Sequence, residues 1–128
     1  MFTKYITFIN NSLFNHTGVV FVTYYDPKHN AFTACEPDSR VPKRYVETPY
    51  NRAVNAPAMR RFWGLLDPES RSLAESFDEK HGFFQFMRDT GLIEYYDKAY
   101  AEAAEEIIRK WEHDNHLDID WNNIVTDW

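Results

Sequence analysis

The N-terminal third of the chain has the hydrophobic pattern of β-strands. Residues 3–9 alternate aromatic or β-branched side chains with others, and residues 18–25 (GVVFVTYY) are almost entirely β-branched or aromatic. A turn cluster at residues 26–30 (DPKHN) separates this second run from residues 31–35, which is the arrangement of a hairpin. The pattern therefore predicts three strands, of which the second has two apolar faces and is central.

A proline-rich segment follows the predicted hairpin. Residues 37–57 contain four of the six prolines of the chain. Proline lacks the amide donor and restricts the residue before it to extended conformations, so a regular helix is not expected here. We expect an extended arm, with a short edge strand at residues 44–48.

Helical signals dominate the rest of the chain, beginning with a short predicted helix at residues 58–66. Asp67-Pro68-Glu69 predicts the start of a second helix, because Asp caps a helix, Pro suits its first position and Glu favours its first turn. This helix is expected to end at about residue 80. Residues 83–90 predict a third helix, which Gly91 ends as a left-handed cap.

The longest predicted helix spans residues 92 to about 113. Apolar side chains recur in it at spacings of three and four residues, which makes one continuous stripe of an amphipathic helix. The stripe consists of Tyr96, Ala99, Tyr100, Ala103, Ile107 and Trp111. Residues 117–121 (LDIDW) then alternate, which predicts a short strand or a loop with Leu117, Ile119 and Trp121 directed inward.

The order of these elements predicts an α+β fold, in which a small antiparallel sheet of N-terminal strands packs against C-terminal helices. A length of 128 residues predicts a single domain, residues 1–128. Within it we distinguish a β-rich part, a proline-rich basic arm, a helical part and an acidic, aromatic tail. These parts are residues 1–36, 37–57, 58–114 and 115–128.

Composition excludes several classes of protein. Hydrophobic residues make up 44% and charged residues 27% of the chain, which is typical of a globular protein and not of a disordered one. No apolar run is long enough for a transmembrane helix, and the N-terminal residues do not resemble a secretory signal. The single cysteine, Cys35, cannot form an internal disulfide, so we expect a cytoplasmic protein. The four glycines are scattered, which argues against a glycine-rich phosphate loop, and we expect no cofactor.

Charge is distributed unevenly along the chain. The net charge is −6, but residues 1–65 carry a net +4 and residues 66–128 a net −10, an asymmetry that indicates binding partners. Basic side chains interleaved with tyrosines suit phosphate contacts and base stacking, so one interpretation of the arm is nucleic-acid contact. The other interpretation is that the basic arm pairs with the acidic half of the same molecule. The basic candidates are Arg40, Lys43, Arg44, Arg52, Arg60 and Arg61.

The acidic, aromatic tail is the predicted partner-binding surface. The five carboxylates of the C-terminal 17 residues have no basic neighbour in sequence and are expected to be uncompensated, and spaced carboxylates can imitate the phosphates that a cationic groove binds. Tryptophans at such a surface are typical anchors of an interface. The competing interpretation is a solvated acidic face with tryptophans that anchor the core. The predicted contact residues are Asp114, Asp118, Asp120, Trp121 and Trp128.

Two groups of residues have side chains suited to chemistry. His113 and His116 are three residues apart and near Asp118, a donor set that a transition metal accepts, but no supporting motif accompanies them. Histidines at a helix C-terminus are also favoured there by the helix dipole. Cys35 and His29 are the only Cys–His pair close in sequence, although a strand cysteine commonly acts as a small apolar residue. We therefore predict that the protein is not an enzyme, with a small hydrolase or a metal-dependent enzyme that uses His113, His116 and Asp118 as the alternative.

Aromatic residues make up 17% of the chain and supply the strongest functional signal. Phe62-Trp63 and Phe83-Phe84-x-Phe86 exceed what one helix face can bury, and surface aromatics near arginines are typical of interfaces. The sequence therefore predicts a small acidic interaction protein that binds a larger protein or protein–nucleic acid complex. The preferred hypothesis is an inhibitor of a nucleic-acid-processing or defence enzyme, of the anti-defence type that phages encode. The alternatives are an immunity protein against a toxin and a nucleic-acid-binding accessory factor that uses residues 40–61.

Overall fold

A computed structural model describes residues 4–10, 21–77 and 82–127 of the chain. Within them the predicted α+β class is confirmed: a sheet with strands mainly from the N-terminal half packs against helices that lie mainly in the C-terminal half. The strands are β1 (Val22–Asp26), β2 (Ala31–Cys35), β3 (Val46–Glu47) and β4 (Val125–Asp127). The helices are α1 (Asn51–Leu65), α2 (Pro68–Glu75), α3 (Phe83–Thr90) and α4 (Ile93–Asp114), preceded by a 3₁₀ helix at Lys4–Phe8.

The sheet has the strand order β3-β1-β2-β4. β1 and β2 form the predicted antiparallel hairpin, in which Val22 lies opposite Cys35, and β3 pairs antiparallel to β1 at the predicted edge. β4 pairs parallel to β2, with Val125 opposite Ala31, so the sheet is mixed, and the prediction of a purely antiparallel sheet of N-terminal strands is wrong at this edge. The tail thus contributes a strand, but at residues 125–127. Residues 117–121 form a loop, in which Ile119 is buried.

The strand predicted at residues 3–9 is wrong over its described part, where Lys4–Phe8 is a 3₁₀ helix. Side chains three residues apart eclipse one another in a 3₁₀ helix. Tyr5 and Phe8 therefore share one face, and both are buried against the sheet and the end of α4. Of the second predicted strand, residues 22–25 belong to β1, and residues 18–20 lie outside the described residues.

The expectation that no helix runs through residues 37–57 is wrong for their last seven residues, because α1 begins at Asn51 and contains Pro57. An internal proline costs about 3 kcal/mol through the lost hydrogen bond and a steric clash. The burial of Val54, Ala58 and Phe62 offsets this cost. These side chains recur every four residues, and all three are fully buried in the core shared with α4.

The predicted helix boundaries after α1 depend on local capping and are largely confirmed. Asp67 caps α2, since its Oδ1 accepts a hydrogen bond from the Ser70 amide at 2.7 Å. α2 ends at Glu75, earlier than expected, where Ser76 Oγ donates to the carbonyl of Leu73 at 2.6 Å. Gly91, with a φ of 82°, ends α3 as the left-handed cap.

Helix α4 joins the two parts of the core. Its N-terminal half packs with α1 and α3 around Phe62 and Met87, and its C-terminal half packs with the sheet around Phe32. Four members of the predicted apolar stripe are buried, and Tyr100 and Ile107 are half-buried. In the described parts of the chain, no helix combines the length and apolarity needed to span a membrane.

Candidate functional site

Two exposed carboxylates lie on the loop that joins α4 to β4. This acidic loop, residues 115–124, carries Asp118 and Asp120. Across the described residues, neither carboxylate forms an ion pair. The Asp120 carboxylate accepts hydrogen bonds from the Asn122 amide at 3.2 Å and from Asn123 Nδ2 at 2.8 Å. The loop therefore presents negative charge to solvent, and neutral donors fix one of its two carboxylates in place.

Asn30, in the turn between β1 and β2, ties the acidic loop to the sheet. Its Nδ2 donates to the carbonyls of Asp120 and Asn123, at 2.9 and 3.1 Å. Its Oδ1 accepts from the Asp120 amide at 3.2 Å and from the Tyr25 hydroxyl at 2.7 Å. The Asn30 backbone has a φ of 48°, a left-handed conformation that asparagine tolerates better than most residues. The Val125 amide donates to its carbonyl at 3.1 Å, which starts the β4 pairing.

Apolar side chains of the acidic loop attach it to the core beside the sheet. Ile119 is buried in the sheet core. The Trp121 ring is half-buried, with its centroid 4.9 Å from that of Tyr5 and 5.8 Å from that of Phe32. Trp121 Nε1 also donates to the Glu112 carboxylate at 2.8 Å. Trp121, predicted as a partner contact, therefore anchors the loop that carries the carboxylates.

The electrostatics of Tyr25 show that several carboxylates converge at this end of the molecule. Burial raises the pKa of the Tyr25 hydroxyl, and the negative charges of Glu112, Asp26, Asp118 and Asp120 raise it further. Asp26 is neutralised by its own ion pairs. The remaining three carboxylates give the surface around the acidic loop a negative potential.

The other predicted contacts of the tail are in different environments. The expectation of an uncompensated carboxylate is wrong for Asp114, because Lys110 lies one helical turn before it and places its Nζ 2.9 Å from Asp114 Oδ2. The hydrogen bond from Lys110 lowers the pKa of Asp114. His113 and His116 are exposed, and His113 Nδ1 lies 3.6 Å from Asp114 Oδ1. Within the ranges that the structure describes, no three His, Cys, Asp or Glu side chains come close enough to hold a metal ion. Trp128 lies outside the described residues.

The basic candidates divide into two groups. Arg44 binds Asp26 through Nε at 2.8 Å and Nη2 at 3.2 Å. Arg61 pairs with Glu106 and lies 3.7 Å from Glu102, so one cation of the basic half does neutralise α4. The remaining four are exposed and form no ion pair with any described residue: Arg40, Lys43, Arg52 and Arg60.

Asp26 and His29 form a carboxylate–imidazole pair in the β1–β2 turn. Asp26 is buried, and its Oδ2 lies 2.6 Å from His29 Nδ1, while Arg44 binds the same carboxylate. Such a pair can orient a general base, but no described hydroxyl or thiol is hydrogen-bonded to the His29 ring. Cys35 lies at the opposite end of the hairpin, so the sequence neighbours Cys35 and His29 are not brought together. The arrangement fixes the turn.

Aromatic side chains from α1 and α3 are only partly buried. Phe62 is fully buried, whereas Trp63, Phe83 and Phe86 are half-buried and Phe84 is 47% exposed. The Trp63 and Phe83 rings stack with their centroids 6.4 Å apart. The expectation that these aromatic side chains exceed what one helix face can bury is therefore confirmed.

Sequence reasoning missed the function of Asn30. An asparagine at the end of a turn cluster signals a left-handed residue, but nothing in sequence connects it to a loop ninety residues away.

No protein-family model, curated protein or solved structure matches this chain.

Proposed function

We propose that this protein is a non-catalytic interaction protein whose acidic loop binds a cationic surface on a larger macromolecule. The observation that carries the proposal is the pair of exposed carboxylates, Asp118 and Asp120, which no described cation neutralises. A cationic partner would find both groups exposed on a loop whose backbone is held by Asn30, with the Asp120 carboxylate fixed by Asn122 and Asn123. Preformed geometry of this kind lowers the entropic cost of association.

The support of the loop favours recognition over general solubility. Asn30 makes four hydrogen bonds with its side chain, three of them to backbone groups of the loop, and Trp121 packs under the loop. A carboxylate needed only for solvation requires no such bracing. Negative charge at fixed positions accelerates encounter with a cationic partner and limits the orientations in which the two proteins dock.

Enzymes that process nucleic acid are the target class we propose, because their substrate channels are cationic to neutralise phosphates. Bound in such a channel, the acidic loop would block substrate entry, and the protein would act as an inhibitor of the anti-defence type. An immunity protein against a nuclease toxin would use the same surface. The proposal includes a cytoplasmic setting, which the single cysteine supports, because Cys35 has no partner for an internal disulfide.

The test compares two variants with the same change in net charge. Asp118→Lys/Asp120→Lys reverses the acidic loop, and Asp89→Lys/Glu94→Lys reverses two exposed carboxylates outside it as the control. Circular dichroism and urea unfolding first establish that both variants fold. Each protein is then used to capture targets from a lysate, and a captured enzyme is purified for kinetic measurements.

We expect the loop variant to associate with the purified target about tenfold more slowly than the wild type at low salt, with a smaller difference at high salt. The control variant should retain the wild-type rate within about twofold. The wild-type protein should inhibit the captured enzyme. Equal association rates for the loop variant and the wild type would remove the acidic loop from the mechanism. Binding to RNA or DNA alone, lost in Arg40→Glu/Arg52→Glu, would instead favour nucleic-acid contact by the basic arm.

A further inference from the structure

A groove of about 440 Å³ lies between α1 and α4, on a surface distinct from the acidic loop. Its apolar lining comes from Pro57, Ala103 and Ile107, and its charged lining includes Arg60 and Lys110. Ala103 is buried, while Pro57 and Ile107 are half-buried. The volume lies in the range of sites that hold a ligand or a few side chains.

The charges around the groove differ from those of α4 as a whole. Arg60, Arg61 and Lys110 line it against one carboxylate, Glu106. Arg61 is already paired with Glu106, and Lys110 with Asp114. Arg60 is exposed, and no ion pair engages it in residues 4–10, 21–77 or 82–127. Arg60 is therefore a cation without a counter-charge beside an apolar floor.

We propose that this groove binds an acidic peptide segment of a partner protein that carries an aliphatic or aromatic side chain. The apolar side chain would lie over Ala103 between Pro57 and Ile107, and a neighbouring carboxylate would pair with Arg60. A second carboxylate of the same segment would share Lys110 with Asp114. The site is independent of the acidic loop, because it recognises the opposite charge on a different surface.

The lining favours a peptide over a phosphate backbone. A phosphate backbone carries no apolar group to cover the floor formed by Pro57, Ala103 and Ile107, and Arg60 is the one lining cation without an ion pair to a described residue. A helix or strand with mixed apolar and acidic positions matches both parts of the groove, and helix-in-groove recognition uses this spacing of apolar anchors.

The probes for the test are short fluorescent peptides that contain one leucine flanked by glutamates. Two control peptides replace the leucine by serine or the glutamates by lysines. Binding is measured by fluorescence anisotropy at low salt, and chemical shifts of the ¹⁵N-labelled protein locate the contact. We expect shifts at residues on both walls of the groove, and loss of binding for both control peptides.

The protein variants are Arg60→Glu and, as a matched control on the same helix, Arg52→Glu, an exposed arginine that does not line the groove. Arg60→Glu should weaken binding of the leucine peptide at least about fivefold, and Arg52→Glu should leave it unchanged within about twofold. Equal binding by Arg60→Glu and the wild type, or shifts confined to other surfaces, would overturn the proposal. Asp118→Lys/Asp120→Lys should bind the peptide like the wild type, which separates this result from the function of the acidic loop.

Discussion

The carboxylate of Asp26 supports a prediction about the stability of the β1–β2 turn. The residue is 3% exposed, and its carboxylate interacts with Arg44, with His29 Nδ1 at 2.6 Å and with the Lys28 amide at 3.0 Å. Asp26→Asn keeps the size of the side chain and an acceptor for the Lys28 amide. It removes the negative charge that binds both Arg44 and His29.

The size of the effect follows from these contacts. A hydrogen bond between charged groups contributes about 1.5–3 kcal/mol to the free energy of unfolding. Because Arg44 is partly exposed, the contribution of its bond to Asp26 lies toward the lower value. We therefore expect Asp26→Asn to lower the free energy of unfolding by about 2–3 kcal/mol at neutral pH. The exposed Asp38, with no ion pair to a described residue, supplies the control Asp38→Asn, for which we expect a change within about 0.5 kcal/mol.

The pH dependence has a definite sign. The hydrogen bond from Arg44 is the largest cause that lowers the pKa of Asp26 below its ordinary 3.8 in the folded protein, and the bond from His29 adds to it. A lowered folded pKa stabilises the protein fully above the unfolded pKa, and this stabilisation is lost as the pH falls through the folded pKa. The difference between the wild type and Asp26→Asn should therefore shrink by about 1 kcal/mol between about pH 5 and about pH 3.

Urea unfolding followed by tryptophan fluorescence measures these differences at each pH. The slopes of the transitions must agree among the three proteins, since a changed slope would indicate a changed unfolded state. A wild type no more stable than Asp26→Asn at neutral pH would refute the assigned role of the ion pairs. A difference that stays constant between about pH 5 and about pH 3 would refute the lowered pKa.

Two further substitutions test how the acidic loop and α1 are held. Asn30→Gly accommodates the left-handed backbone but removes the side-chain hydrogen bonds, so it should lower the free energy of unfolding by about 1–3 kcal/mol. Hydrogen exchange in residues 118–124 should become faster, and unchanged exchange there would contradict the role of Asn30 in bracing the loop. Pro57→Ala restores a helical amide in α1 and should raise the free energy of unfolding by about 2 kcal/mol, which is the cost of about 3 kcal/mol for an internal proline less about 1 kcal/mol for the rigidity that proline gives the unfolded chain. A lower melting temperature for Pro57→Ala would show that the proline stabilises the fold.

Elements that depend on neighbouring residues could be predicted from the sequence. The hairpin strand at residues 31–35 and the third helix at residues 83–90 form with the predicted boundaries. The cap from Asp67 and the left-handed Gly91 act within one turn of the chain, so the residues that determine them are visible together in the sequence.

The errors arise where distant contacts outweigh local preference. Tyr5 and Phe8 lie in a run with strand-like composition, but a 3₁₀ helix directs both rings into the core. Pro57 is tolerated because α1 buries a face against α4, and β4 forms because Asn30 aligns the tail with β2. None of these partners lies near the affected segment in sequence.

The acidic loop, too, could be predicted only in part from the sequence. The contacts that hold this loop explain why its negative charge remains at the surface. The sequence identifies the carboxylates and their lack of neighbouring cations, but it does not reveal that the amide of Asn30 and the ring of Trp121 support the loop. Both supports are neutral, whereas the charge on α4 is partly neutralised by Arg61. A loop fixed by salt bridges would have lost its negative potential in becoming rigid. Because the loop is fixed by an amide and by aromatic packing, its backbone is held without a cation that would neutralise Asp118 and Asp120, and negative charge at a held position favours the docking of a cationic partner.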